Sequence, residues 1–136
     1  MITIETNYIG DLRAVSRHLR SGVELITDAP PDNQGKGESF SPTDLLATAL
    51  GTCMITVMGI AAKKHQINID GTKLEITKIM QAAPRKVMEI KVTLFMPAIK
   101  YSNNEKEILE HAGTTCPVAL SLHPELKQSI EFIYNH

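Results

Sequence analysis

Apolar and polar residues alternate through residues 2–9, with Ile2, Ile4, Thr6 and Tyr8 on one side, which reads as a β-strand. Gly10-Asp11 is a turn signal. Residues 12–19 and 23–27 read as two further strands with Ser21-Gly22 between them, an N-terminal meander. Residues 28–39 carry Pro30, Pro31, Asn33, Gly35 and Gly37 and read as a loop, long enough to suspect a function such as a lid. Ser41-Pro42-Thr43-Asp44 then has the marks of a helix start. Ser41 can cap, Pro42 suits the first helical position, and Asp44 completes a capping-box-like pattern at the positive end of the dipole. The helix is expected to run to about Lys64, with Lys63, Lys64 and His65 at its negative end.

Beyond it, residues 67–81 read as a strand bent at Asp70-Gly71, and Pro84-Arg85 as a turn. Residues 86–96 alternate Met88, Ile90, Val92, Leu94 and Met96 against Val87, Glu89, Lys91, Thr93 and Phe95, a half-buried strand that completes a hairpin. Residues 102–112 form a polar-faced helix with Ile108 and Leu109 turned inward, and Gly113 is expected to end it. Residues 116–122 read as a second short helix stopped by Pro124, and residues 126–134 as a last strand. The fold class is α+β, with residues 1–136 forming a single domain and no internal repeat.

The long helix is unusual because residues 45–62 contain no charged side chain. That length reaches the lower limit for a membrane span. Thr48, Thr52 and Thr56, two glycines, the lack of a flanking aromatic belt and the amphipathic strands on both sides argue for a core helix instead. One small sheet cannot cover such a helix on every face, so dimerisation is expected. Gly51 and Gly59, with Ala47, Ala49 and Ala61, would permit close helix–helix approach.

Composition narrows the chemistry. A net charge of −1 and the absence of Trp argue against nucleic acid and anionic lipid as partners. Met1-Ile2-Thr3-Ile4-Glu5-Thr6 lacks the features of a secretory signal, so a cytoplasmic location is expected. There, two cysteines suggest transient redox chemistry in preference to a static disulfide.

Cys53 lies at the middle of the apolar helix, beside Ala49, Leu50, Thr56 and Val57 at helical spacing. Apolar walls raise a thiol pKa, so an active Cys53 needs a cation from elsewhere. Three arginines precede it, Arg13, Arg17 and Arg20, and Arg85 follows. Arg13 and Arg17 share one face of their strand. An apolar wall around an activated thiolate would suit a hydrophobic substrate such as an organic peroxide. Cys116, directly before Pro117, is expected at the N-cap of its short helix, where backbone amides favour a thiolate. A metal site from Cys53, Cys116 and some of His65, His111 and His123 lacks ligand spacing, and neither a metal nor a cofactor is expected. Met54, Met58, Met88 and Met96 read as core filler.

The string Phe40-Ser41-Pro42-Thr43-Asp44-Leu45-Leu46, followed by Ala49-Leu50-Gly51-Thr52-Cys53 and by Cys116-Pro117-Val118, resembles the OsmC/Ohr superfamily of osmotically induced and organic-hydroperoxide-resistance proteins. The order of elements agrees over essentially the whole chain. The resemblance implies an OsmC-like intertwined homodimer whose long central helices are wrapped by antiparallel sheets. It implies a peroxidase in which Cys53 attacks an organic hydroperoxide and becomes a sulfenic acid. Cys116 would then close a disulfide with Cys53, and an external dithiol of dihydrolipoyl type would restore both thiols.

The family's peroxidases carry a glutamate directly after the proline of the helix start, where it orients an arginine against the thiolate. Here that position is Thr43 and the acid follows as Asp44, which matches the S-P-x-E-L-L branch. One residue is about 100° around a helix, so the two carboxylates need not point alike. The resemblance assigns Arg13, in preference to Arg17, as the thiolate's cation and Asp44 as the carboxylate that orients it, with helix capping as the other reading of Asp44. The alternative function is a non-catalytic small-molecule-binding or redox-sensing dimer on the same scaffold.

Overall fold

The computed structural model describes residues 1–134, and their strands and helices follow from local sequence signals. Gly10, Asp11 and Leu12 all take positive φ, of 91°, 54° and 61°, and turn β1 (Ile4–Gly10) into β2 (Arg13–His18). β3 (Glu24–Asp28) returns antiparallel along β2, giving a three-stranded sheet in the order β1-β2-β3. This register sets Arg13 opposite Asp28 and Arg17 opposite Glu24. The loop that follows is tied to its own base. Asp28 N–H donates to the Phe40 carbonyl at 3.0 Å, Gly37 N–H to that of Ala29 at 3.3 Å, and the Ser39 hydroxyl to that of Ile26 at 2.7 Å. A short 3-10 turn over Pro31–Asn33 lies within it.

The chain divides into two compact units, Met1–Leu46 and the remainder from Ala47, and α1 (Pro42–Lys64) runs through the boundary. The second unit holds the buried apolar cluster. α1 contributes Ala47, Leu50, Gly51, Met54, Met58 and Ala62, a stripe at helical spacing. Thr52, Thr56 and Ile60 remain exposed. By length and composition α1 could cross a bilayer, but this stripe packs into the core cluster and marks it as a core helix. Gly51 lets α1 settle on the sheet, because a Cβ there would run into Ile76 Cδ1 and lie 3.2 Å from Ile76 Cγ1.

The second sheet is ordered β4-β5-β6, from β4 (Lys73–Gln81), β5 (Lys86–Phe95) and β6 (Lys127–Ile133). The expected strand over residues 67–81 begins only at Lys73. Residues 67–72 are instead a turn segment, in which the Asn68 side chain accepts from Asp70 N–H at 2.9 Å and the Thr72 hydroxyl donates to the Ile69 carbonyl at 2.6 Å. The alternation in β5 also changes phase. Ile90, Val92, Leu94 and Met96 are buried as expected, but Met88 is exposed and Val87 buried. Ile79 pairs with Glu89 and Met80 with Val87, so Met88 is a bulged residue, and an extra residue in one strand reverses the faces beyond it.

β6 joins β5 in parallel, so this sheet is mixed and not wholly antiparallel. A parallel neighbour requires a crossover, and α2 (Asn103–Thr114) and α3 (Pro117–Ser121) supply it. Ser102 caps α2 in a complete capping box with Glu105. Tyr134 fixes α2 near the end of β6: its hydroxyl donates to Glu110 Oε2 at 2.8 Å, and its ring meets Tyr101 edge-on at 5.8 Å. Gly113 does not end α2 but lies inside it. Thr114 and Thr115 close the helix instead, their hydroxyls donating to the Glu110 and His111 carbonyls at 2.8 and 2.6 Å. With those carbonyls satisfied, no left-handed glycine is required.

Helix propensity alone expects Gly51→Ala to stabilise α1 by about 1 kcal/mol. The approach of Ile76 makes the opposite the expected outcome, a net loss of about 1 kcal/mol from overpacking, read from urea denaturation midpoints. Unchanged or higher stability would mean that α1 and β4 are not in this contact.

Candidate functional site

Proline at position 117 holds the preceding residue out of the helical region, and Cys116 is extended, at φ −68° and ψ 156°, as the N-cap of α3. Its sulfur accepts from the Ala119 N–H at 3.5 Å. Cys116 is fully buried, whereas Cys53 is half-buried at the middle of α1. Cys53 packs against the buried cluster that contains Cys116, close enough for the two thiols to influence one another, and neither is in a disulfide. Two cysteines 63 residues apart in sequence thereby become neighbours in the fold.

Burial pushes the Cys116 thiol above its ordinary pKa, against the pull of the Ala119 and Val118 amides, and the neighbouring Cys53 pushes the same way. The sequence pointed to a thiolate favoured by helix amides. In the fold, loss of solvent outweighs those amides, and α3 is only five residues long. Cys116 therefore stays protonated at neutral pH, which makes it a poor first nucleophile.

In the first unit, Arg13 is held by two carboxylates. Its Nε donates to Asp28 Oδ1 at 2.7 Å and its Nη2 to Asp28 Oδ2 at 2.9 Å, the fork geometry that arginine makes with a carboxylate. Nη2 also donates to Glu38 Oε1 at 2.8 Å. The Glu38 N–H closes the arrangement by donating to Asp28 Oδ2 at 3.1 Å. The Asp28 side chain is almost inaccessible, while that of Arg13 is about a quarter exposed. The paired guanidinium holds Asp28 below the usual carboxylate range, and the two carboxylates hold Arg13 above its own.

Asp44 closes the start of α1. Its Oδ2 accepts from Ser41 N–H at 2.9 Å, and its own N–H donates to Ser41 Oγ at 3.0 Å, a reciprocal capping box. Asp44 also lines a shallow depression of about 370 Å³ with Gly37, Glu38, Ser39 and Phe40. Asp28 and Glu38 were not singled out from the sequence. A signal for Asp28 existed, because the β2–β3 hairpin places an acid opposite each of Arg13 and Arg17. Glu38 had none, since its reach to Arg13 depends on the path of the loop. Among the described residues, no group of three or more His, Cys, Asp or Glu side chains is arranged to hold a metal.

Because the pKa of folded Asp28 is depressed, its contribution to stability is present above the unfolded carboxylate value of about 4 and is lost as pH falls through the lower folded value. Amide hydrogen exchange in β2, β3 and residues 29–40 is therefore expected to quicken as pH falls below about 4, after correction for intrinsic exchange. Asp28→Asn should remove that pH dependence, and retention of it in the variant would assign it elsewhere.

Comparison with known proteins agrees with this architecture. The family model described as OsmC-like protein matches residues 35–131. A crystal structure from Psychrobacter arcticus 273-4, provisionally described as an osmotic stress induced and detoxification response protein, is 47% identical with a TM-score of 0.93. The match covers 98% of this chain and 96% of that one. An organic hydroperoxide resistance protein from Legionella pneumophila superposes with a TM-score of 0.75 at 15% identity, covering 97% of each chain. Another from Elizabethkingia anophelis, with thiocyanate bound, gives 0.70 at 17% identity, covering 99% and 98%. At those identities the last two show likeness of fold alone. No curated protein matches the chain. The family match over most of the chain and the close Psychrobacter relative show that this protein belongs to the OsmC-like family.

Proposed function

We propose that the protein is a thiol peroxidase that reduces organic hydroperoxides. Membership of the OsmC-like family supports a redox, peroxidase-like role, and the observation that carries the finer reading is that Cys53 packs against the buried cluster holding Cys116. In this reading Cys53 gives up its thiol proton, the thiolate attacks the terminal peroxide oxygen, the O–O bond breaks, and the alkoxide takes up a proton in its place and leaves as alcohol. Cys53 is left as a sulfenic acid. The Cys116 sulfur then attacks the Cys53 sulfur, the hydroxyl leaves as water, and a disulfide forms. An external dithiol of dihydrolipoyl type reduces the disulfide by two successive exchanges and becomes a cyclic disulfide itself. The raised pKa of Cys116 suits this division of labour, because the protonated thiol does not compete with Cys53 for peroxide.

Arg13 serves in this proposal as the cation that favours the Cys53 thiolate. Asp28 and Glu38 fix its guanidinium, and Asp44 holds the start of the helix that carries the nucleophile. The working form is a homodimer in the cytoplasm. Support for the dimer comes from the uncharged, exposed Thr52, Thr56 and Ile60 of α1 and from exposed apolar side chains at Ile4, Tyr8, Ile9, Leu25, Ile26 and Phe40. Sedimentation equilibrium should give twice the 15.0 kDa mass of the chain.

The test of function is thiol state by mass spectrometry after one equivalent of cumene hydroperoxide. The wild type should rapidly lose two hydrogens, Cys116→Ser should accumulate a trappable sulfenic acid on Cys53, and Cys53→Ser should be inert. Arg13→Lys, which keeps the charge but loses the fork, should slow the first step by about ten-fold or more. If the wild type stays reduced under cumene hydroperoxide, hydrogen peroxide and lipid hydroperoxides alike, the peroxidase reading falls. A non-catalytic binding or redox-sensing dimer then takes its place.

A further inference from the structure

Gly113 of α2 faces the side chains of Met54 and Met58 on α1. A Cβ built on it would lie 2.9 Å from Met58 Sδ, 3.2 Å from Met58 Cγ and 3.6 Å from Met54 Cε. Met54 directly follows Cys53 in α1, and Met58 lies one helical turn beyond it. Both methionines are buried, at 1% and 0% exposure, so any shift away from an added methyl is taken up within the core. Three residues after Gly113 comes Cys116, fully buried in the cluster against which Cys53 packs. Gly113 is inside a helix that Thr114 and Thr115 terminate, so glycine is not required there as a cap. What it provides is the missing side chain.

We propose that Gly113 is the positioning residue that sets the distance between the two sulfurs. Its lack of a Cβ lets α2 lie close enough to α1 for Cys116 to form a disulfide with Cys53. Disulfide geometry is narrow, with Cβ atoms about 3.5–4.5 Å apart, so a shift of α2 by a few tenths of an ångström strains the bond. A methyl group at position 113 acts as a wedge against Met58 and opposes closure of the disulfide, while leaving the attack of Cys53 on peroxide untouched. This deepens the peroxidase reading and rests on its assignment of the two cysteines.

The experiment uses a disulfide exchange that needs no peroxide. Oxidised dithiothreitol takes two electrons and two protons from the protein dithiol; its own S–S bond breaks as the Cys53–Cys116 bond forms. The protein is equilibrated over a range of oxidised-to-reduced ratios, and the disulfide is read by mass spectrometry. Gly113→Ala is expected to lower the equilibrium constant by about ten-fold or more against wild type. Sulfenic acid formation on Cys53, followed in a Cys116→Ser background, should keep the same rate with or without Gly113→Ala, which general loosening of the core would not allow. Shortening the side chain that meets the wedge should relieve it, so Met58→Ala/Gly113→Ala is expected within about three-fold of Met58→Ala alone. Should Gly113→Ala fail to fold, the wedge is driven from the other helix by Met58→Phe, with the same loss expected.

Equal closure in Gly113→Ala and wild type overturns the role of Gly113 and leaves the peroxidase reading standing, as does a double variant that remains ten-fold weaker than Met58→Ala. Unchanged closure in Met58→Phe overturns it too. A wild type that stays a dithiol at every ratio overturns the pairing of the cysteines, and this inference with it.

Discussion

Burial of one stripe of α1 is the constraint on which the rest of the second unit depends. Leu50, Met54 and Met58 are fully buried, and the residues that enclose them come from β4, β5, α2 and β6. A helix without charge over eighteen positions cannot present every face to water at low cost, and the sheet takes the face that Gly51 makes approachable. Cys53 lies beside this stripe, between the buried face and the exposed one. It is therefore anchored by core packing and yet accessible, a combination a loop cysteine would lack. The same stripe meets α2 at Gly113, where Met54 and Met58 fill the space a side chain would take.

Where local chemistry decides an element, the sequence was legible. The start of α1 was visible in Ser41-Pro42-Thr43-Asp44, and the reciprocal hydrogen bonds of Ser41 and Asp44 realise it. The two hairpins, the N-cap position of Cys116 and the end of α1 near Lys64 followed in the same way. Non-local effects escaped the sequence reading. The phase change in β5 arises from a bulge at Met88, which depends on the register of β4 and leaves no mark in β5 itself. The parallel pairing of β6 depends on how the crossover packs. Gly113 was read as a helix end because glycine there is common, but two threonine hydroxyls had taken over that task.

The candidate residues divide along the same line. The cysteines stood out through their sequence contexts, whereas the partners of Arg13 did not. Asp28 and Glu38 are ordinary acids in the sequence, and only the strand register and the folded loop bring them to one guanidinium. Electrostatics at Cys116 also required the fold. From sequence, helix amides promised a favoured thiolate; in three dimensions full burial overrules two amides. The amides of a five-residue helix are a weak counterweight to the loss of solvent around a charge.

The crossover between β5 and β6 has a kinetic consequence. β4 and β5 are joined through four residues and can pair early, as local hairpins do. β6 can dock only after residues 96–126 have folded back across the sheet, and closing that longer loop costs about 2 kcal/mol more in chain entropy than closing the hairpin. Cys116 is carried within the late segment. Cys116 is buried only once the crossover has docked, so the rate at which a thiol reagent labels it reports on that docking.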